Sequence, residues 1–91
     1  MRLIATPRFA RATKKLLSAE KEALDEAVRA IVANPGIGEV KKGDLAGVQV
    51  YKYRVKTELI LLAYRVAENE DAIKLLAFGP HENFYRDLKR E

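Results

Sequence analysis

The sequence predicts one α+β domain spanning residues 1–91, in which an N-terminal strand and an antiparallel helix hairpin pack on an antiparallel β-sheet meander and a short helix closes the chain. Three observations predict it. A chain of 91 residues supplies one hydrophobic core and no second domain. Apolar residues follow a helical period between Phe9 and Val32 and a strand period from Val48 onward. The strand-like segments are joined by short polar turns, Lys56-Thr57-Glu58 and Glu68 to Asp71, as in an antiparallel meander.

Arg2 to Thr6 reads as a short strand. Thr6-Pro7 then supplies a helix N-cap followed by proline at the first helical position. Phe9, Ala12, Thr13, Leu16 and Leu17 form the apolar side of this helix, and Arg8, Arg11, Lys14 and Lys15 its basic outer face. Ser18 is the expected cap of a second helix with a buried stripe of Ala23, Leu24, Ala27, Val28, Ile31 and Val32. Its early turns carry Glu20, Glu22, Asp25 and Glu26, favourably placed against the helix dipole and read as a solvated face. Asn34-Pro35-Gly36 ends it, because the residue before proline avoids the helical region. Strands are expected over Val48 to Lys56, Glu58 to Ala67 and Ala72 to Gly79, and a short terminal helix within Pro80 to Arg90, where Phe84 and Leu88 stand one turn apart.

Composition narrows the function classes. The chain has no cysteine, which removes disulfides, thiolate metal sites and thiol nucleophiles. With one histidine, His81, and no clustered ligand spacing, neither a metal nor another cofactor is expected. The longest apolar run, Leu59 to Tyr64, is far short of the roughly 20 residues that span a bilayer, and no signal-peptide pattern opens the chain. The expectation is a cytoplasmic protein with no membrane partner. A formal charge of +4 and a pI near 9.5 favour an anionic partner, provided the cations share a surface.

The strand from Val48 to Lys56 meets that condition. Side chains alternate along a strand, so Lys52, Arg54 and Lys56 project to one side while Tyr51 and Tyr53 point toward the helices. A charged strand face is often merely solvated, but such faces usually mix signs, and no acid interrupts this one before Glu58. Phosphate contact is the natural use. Lys41 and Lys42, in the preceding loop, extend the candidate patch, although Glu39 and Asp44 flank them. Arg65 and Lys74 join it only if strand register puts them on the same face.

A second constellation, Gly79-Pro80-His81-Glu82-Asn83-Phe84-Tyr85-Arg86, follows the last strand. Histidine exchanges protons near neutrality, arginine stabilises phosphate charge, and tyrosine stacks on a base or relays a proton. These are the ingredients of metal-free RNA cleavage, in which a 2′-hydroxyl attacks the adjacent phosphate. A structural reading stands beside it: a lone histidine after Gly-Pro also suits a helix end, and Tyr85 beside Phe84 also suits the core.

The order of elements, together with Leu45-Ala-Gly-Val-Gln-Val-Tyr-Lys-Tyr-Arg54, Leu62-Ala-Tyr-Arg65 and His81-Glu-Asn-Phe-Tyr-Arg-Asp-Leu-Lys-Arg90, resembles the RelE/ParE superfamily of bacterial toxins over nearly the whole chain. For a RelE-like member the resemblance implies a ribosome-dependent endoribonuclease, or mRNA interferase, neutralised by a cognate antitoxin protein. By position it implies that Lys52 and Arg54 hold or polarise the phosphate, that His81 takes the place of a catalytic cation or acid, and that Tyr85 matches a terminal tyrosine. Lys56, Arg65, Arg86, Lys41 and Lys42 are the further RNA-binding candidates. One departure is plain: RelE-like nucleases commonly carry an arginine in the middle of the second meander strand, where this chain has Leu59-Ile-Leu-Leu62. ParE-like members, which poison DNA gyrase, need no such nuclease set. A non-toxic module that binds nucleic acid or an acidic partner is the third expectation.

Overall fold

The computed structural model describes residues 1–82 and 84–89, with the Asp87 side chain set aside. The chain runs β1 (Arg2–Ala5), α1 (Pro7–Thr13), α2 (Ser18–Ala33), β2 (Glu39–Val40), β3 (Gln49–Val55), β4 (Glu58–Ala67), β5 (Ala72–Pro80) and α3 (Phe84–Lys89). One five-stranded sheet has the order β1-β5-β4-β3-β2. The meander β3–β4–β5 is antiparallel, as expected; β1 joins it in parallel beside β5, with Arg2 opposite Ala72 and Ala5 opposite Leu75. The two-residue strand β2, which has no counterpart among the expected strands, lies antiparallel to β3 at the other edge.

Local chemistry explains the helix starts. The Thr6 hydroxyl accepts from Phe9 N–H at 3.2 Å, and Pro7 follows at the first helical position. At the second start Leu17 occupies the cap position and Ser18 is already helical; Glu20 reaches back to accept from Leu17 N–H at 2.8 Å. Ser18 is therefore not the cap. Helix α2 ends at Asn34, before Pro35.

The sheet is covered on both faces. Against one lie α1 and α2, which bury Phe9, Leu24, Ala27 and Ile31 on Leu62, Tyr64, Ile73 and Leu75, with Tyr51 and Tyr53 packed alongside as the alternation predicted. Helix α1 ends at Thr13, so Leu16 and Leu17, expected on its apolar side, follow it: Leu16 still packs on the core, Leu17 is 73% exposed, and Val32, 41% exposed, leaves the stripe of α2 narrower than expected. Against the other face lies α3, whose Phe84 and Leu88 pack on Val48, Val50, Leu61, Ala63 and Ala77. The terminal helix thus begins at Phe84, with Pro80 still in β5; its predicted end at Arg90 lies outside the described residues.

A β-bulge adjusts the two faces to each other. Ala63 pairs with Ala77 but Tyr64 with Leu75, leaving Leu76 as the extra residue. Beyond it the parity of β5 is reversed. Phe78 turns to the helices, where it meets Phe9 edge-on at 5.0 Å, and Ala77 turns to the α3 face. The bulged strand is latched by Thr6, whose N–H donates to Leu75 O at 3.0 Å and whose hydroxyl donates to Leu76 O at 3.0 Å.

Candidate active site and anion-binding face

The α3 face of the sheet carries the charged groups. Along β3 the residues Val50, Lys52 and Arg54 share it: Val50 is buried beneath α3, while Lys52 and Arg54 stand exposed beyond the helix's cover. Lys52 pairs across the ladder with Leu61, which pairs with Gly79; Arg54 pairs with Leu59. The chain's histidine follows Pro80, the partner of Ile60, so His81 leaves the sheet at the Arg54 end.

Tyr85 ties this end to α3. Its ring meets that of His81 edge-on at 6.0 Å and that of Phe84 at 5.4 Å, and its half-buried side chain packs against the core beneath α3. Lys41 approaches from the opposite edge of the sheet. Its ammonium lies 5.0 Å from the centre of the Tyr85 ring and 3.3 Å from a Glu39 carboxylate oxygen. Hydrogen bonding to Tyr85 holds the Lys41 pKa above the usual lysine value; Glu39 acts in the same sense and burial opposes both.

Three of the sequence candidates are thus brought together, His81, Tyr85 and Lys41, with Lys52 and Arg54 on the adjoining strand. Among the described residues neither Lys52, Arg54 nor Lys56 pairs with a carboxylate, so their charge faces solvent uncompensated. The Arg54 guanidinium donates to Thr57 O at 3.3 Å, which draws it toward the β3–β4 turn. Lys56 is not on the strand face. Strand β3 ends at Val55, and Lys56 sits in the two-residue hairpin turn with φ 57°, so alternation does not set its direction. Arg86 is exposed on α3 and Lys42 is exposed in the loop after β2.

Arg65 serves the opposite end. It pairs with Lys74 and so shares that residue's face, but six positions separate it from Leu59, roughly 20 Å along the strand. There its guanidinium lies against Gly47, whose φ of 88° and missing side chain make the room, and donates to Ala46 O at 3.5 Å. The Leu59–Leu62 segment of β4 is apolar, with Leu59 half-buried, Ile60 and Leu62 buried, and Leu61 0% exposed beneath α3. Among the described residues no cluster of three or more His, Cys, Asp or Glu is placed to hold a metal ion, and no helix is long and apolar enough to cross a membrane.

Comparison with protein families matches residues 3–89 to the model of the ParE-like toxin of type II bacterial toxin-antitoxin systems. The chain belongs to this family. It is a toxin of the RelE/ParE superfamily, the component of a type II toxin-antitoxin system, and its architecture agrees. Among solved structures the free Escherichia coli toxin RelE, in a mutant form, superposes with a TM-score of 0.77 at 19% identity, over 99% of this chain and 90% of that one. RelBE2 of Mycobacterium tuberculosis gives 0.75 at 18% identity, covering 88% and 96%. The archaeal RelE–RelB complex from Pyrococcus horikoshii gives 0.61 at 20%, covering 89% and 94%. At these identities the likeness is one of fold. No curated protein matches by sequence.

Sequence reasoning missed two contributors to the site. Strand β2, only two residues long, was too short to leave a periodic signal, yet it sets the direction of Lys41. The bulge at Leu76 carries a faint signal in the apolar run Leu75-Leu-Ala-Phe78, where strict alternation fails at Leu75-Leu76.

Proposed function

We propose that this ParE-like toxin is a metal-independent endoribonuclease that cleaves messenger RNA on the ribosome, in the cytoplasm. The observation that carries the reading is the uncompensated pair Lys52 and Arg54 on the sheet face where His81 and Tyr85 stand 6.0 Å apart. Phosphate enters against Lys52 and Arg54, whose cations stabilise the charge that builds on the non-bridging oxygens. The phenolate form of Tyr85 accepts the proton of the 2′-hydroxyl, becoming the neutral phenol, as the 2′ oxygen attacks the adjacent phosphorus. The O2′–P bond forms, the P–O5′ bond breaks, and the His81 imidazolium protonates the leaving 5′ oxygen, giving a 2′,3′-cyclic phosphate and a 5′-hydroxyl. Arg86, Lys42 and Lys56 add charge for the flanking backbone.

A cognate antitoxin is the second partner. RelE is found with RelB in the E. coli and P. horikoshii complexes, and an acidic amphipathic segment fits the cationic strand face of this chain by complementary charge. Charge reversal at Lys52 and Arg54 then weakens antitoxin binding; unchanged affinity would remove that placement of the antitoxin.

The decisive experiment is cell-free translation with the purified toxin and primer extension on the message, beside the Lys52→Ala/His81→Ala variant. Cuts within translated codons that vanish in the variant support the nuclease. Intact messages favour the second reading, inhibition of DNA gyrase, whose motives are the apolar Leu59–Leu62 segment and the basic first helix with Arg8 and Arg11. Supercoiling assays with purified gyrase test that reading directly.

A further inference from the structure

The ammonium of Lys41 is committed to one aromatic side chain. Its backbone N–H donates to Val48 O at 2.9 Å, which fixes the residue where the chain leaves β2. The loop that follows is closed on itself, with Ala46 N–H donating to Gly43 O at 3.0 Å and Val48 N–H to Leu45 O at 2.9 Å. An edge-strand lysine ordinarily extends into water, as the exposed Lys42 does. The Lys41 side chain instead lies inward, 21% exposed, between Glu39 and the Tyr85 ring. A second contact between the same loop and the same helix, Asp44 to Lys89 at 3.7 Å, holds the loop and α3 together.

We infer that Lys41 is a positioning residue for Tyr85: held by Glu39, it fixes the ring against the sheet edge on the face where RNA is cut. The inference rests on the nuclease reading above and adds to it a residue that does not touch the substrate. A cation seated on an aromatic ring is attracted by the ring's electrons, and Glu39, 3.3 Å from the Lys41 ammonium, keeps that cation oriented. Among the described residues the charged and titratable groups on the elements around Tyr85 are Lys41 and Glu39 from β2 and its loop, His81 and Glu82 after β5, and Arg86 on α3, with Lys52 and Arg54 on β3 of the same face. Removing Lys41 leaves His81 as the one group among these whose ring contacts Tyr85.

The test is a pH–rate profile of ribosome-dependent cleavage for the wild type, Lys41→Met, Lys41→Arg, Tyr85→Phe and the Lys41→Met/Tyr85→Phe double variant, each checked for an unchanged thermal melt. Lys41→Met is expected to cut the rate roughly 10- to 100-fold across the profile, in the range of one acid–base contribution. Arginine, which also seats its cation on an aromatic face, restores most of the rate. The double variant is expected to be no slower than Tyr85→Phe, since a residue acting through another adds nothing once that other is gone. A wild type that cleaves while Lys41→Met keeps both rate and profile overturns this inference and leaves the nuclease standing. So does a double variant slowed by the product of the two single losses. A wild type that does not cleave at all overturns both.

Discussion

The Tyr64 hydroxyl accepts a 2.8 Å hydrogen bond from the backbone N–H of Gly38 and donates one of 2.7 Å to Pro35 O. A side chain in the second meander strand thereby holds the loop that carries the chain from α2 to β2, and with it the approach to Lys41. Tyr64→Phe leaves a buried N–H without its partner, so a loss of about 1–3 kcal/mol is expected in denaturant unfolding. Gly38→Ala is expected to cost as much by another route, because a Cβ there would stand 2.6 Å from the Tyr64 hydroxyl oxygen. If both variants melt like the parent, this junction is not what fixes the loop.

Thr6 joins three elements through one side chain: it ends β1, caps α1 and latches the bulge of β5 through Leu76 O. Replacement by valine keeps the shape and removes both hydrogen bonds. A loss of about 1–2 kcal/mol is expected, together with faster amide hydrogen exchange at Phe9 and around Leu76. Protection unchanged at Leu76 would show that the bulge holds itself.

These two junctions also mark how much of the molecule was legible in the sequence. Thr6-Pro7 announced the first helix because cap chemistry is local, and alternation along β3 assigned Tyr51 and Tyr53 to the helices and Lys52 and Arg54 to the opposite face. Parity could not be carried along β5, since the extra residue at Leu76 reverses it and bulges leave little trace in composition. For the same reason the register of Arg65 was open; pairing with Lys74 puts it on the charged face but at the wrong end of the strand. Long-range closure decided Lys41 as well. Its neighbour Lys42 is chemically identical and exposed, and only the docking of α3 distinguishes the two.

Lys56 gives a test that separates stability from binding. A non-glycine residue at φ 57° pays a steric cost that glycine avoids. Lys56→Gly is expected to raise stability by about 0.5–1 kcal/mol while lowering the salt dependence of RNA binding by about one charge if the residue contacts phosphate. A stabilised variant with an unaltered salt slope would place Lys56 outside the RNA path.

Alkaline pH is expected to destabilise the fold through its buried phenols. Burial is the main cause that pushes Tyr53 up to about 12, with the nearby Glu20 carboxylate adding to it, and burial also raises Tyr64 against the lowering effect of the Gly38 hydrogen bond. A phenol with a raised folded-state pKa is held protonated in the native state while the unfolded chain ionises near 10. Between about pH 10 and 12 the unfolded state therefore binds fewer protons, and stability falls as pH rises. Lys41, also raised, loses its contribution in the region above the ordinary lysine pKa of 10.5. Tyr53→Phe is expected to flatten the decline, read by urea unfolding at several pH values alongside ultraviolet titration of phenolate. An identical slope in the variant would assign the decline to other groups.

An arginine placed in β4 is expected to act differently at Leu61 and at Leu59. Leu61 is enclosed between Val50, Ala63 and Ala77 of the sheet and Phe84 and Leu88 of α3, where an arginine finds no carboxylate among the described residues. Leu61→Arg is expected to cost about 3 kcal/mol or more, either by burying an unpaired charge or by lifting α3 from the sheet. The second outcome carries Tyr85 away from His81. Leu59 offers the contrasting position: it is half-buried, pairs with Arg54 and lies at the His81 end. Leu59→Arg is expected to keep the fold within about 1 kcal/mol of the parent and, under the nuclease reading, to raise cleavage by adding a third cation to the phosphate site. Thermal melts and primer extension on the two variants separate the cases. A Leu61→Arg protein as stable as the parent would mean that α3 does not seal this face.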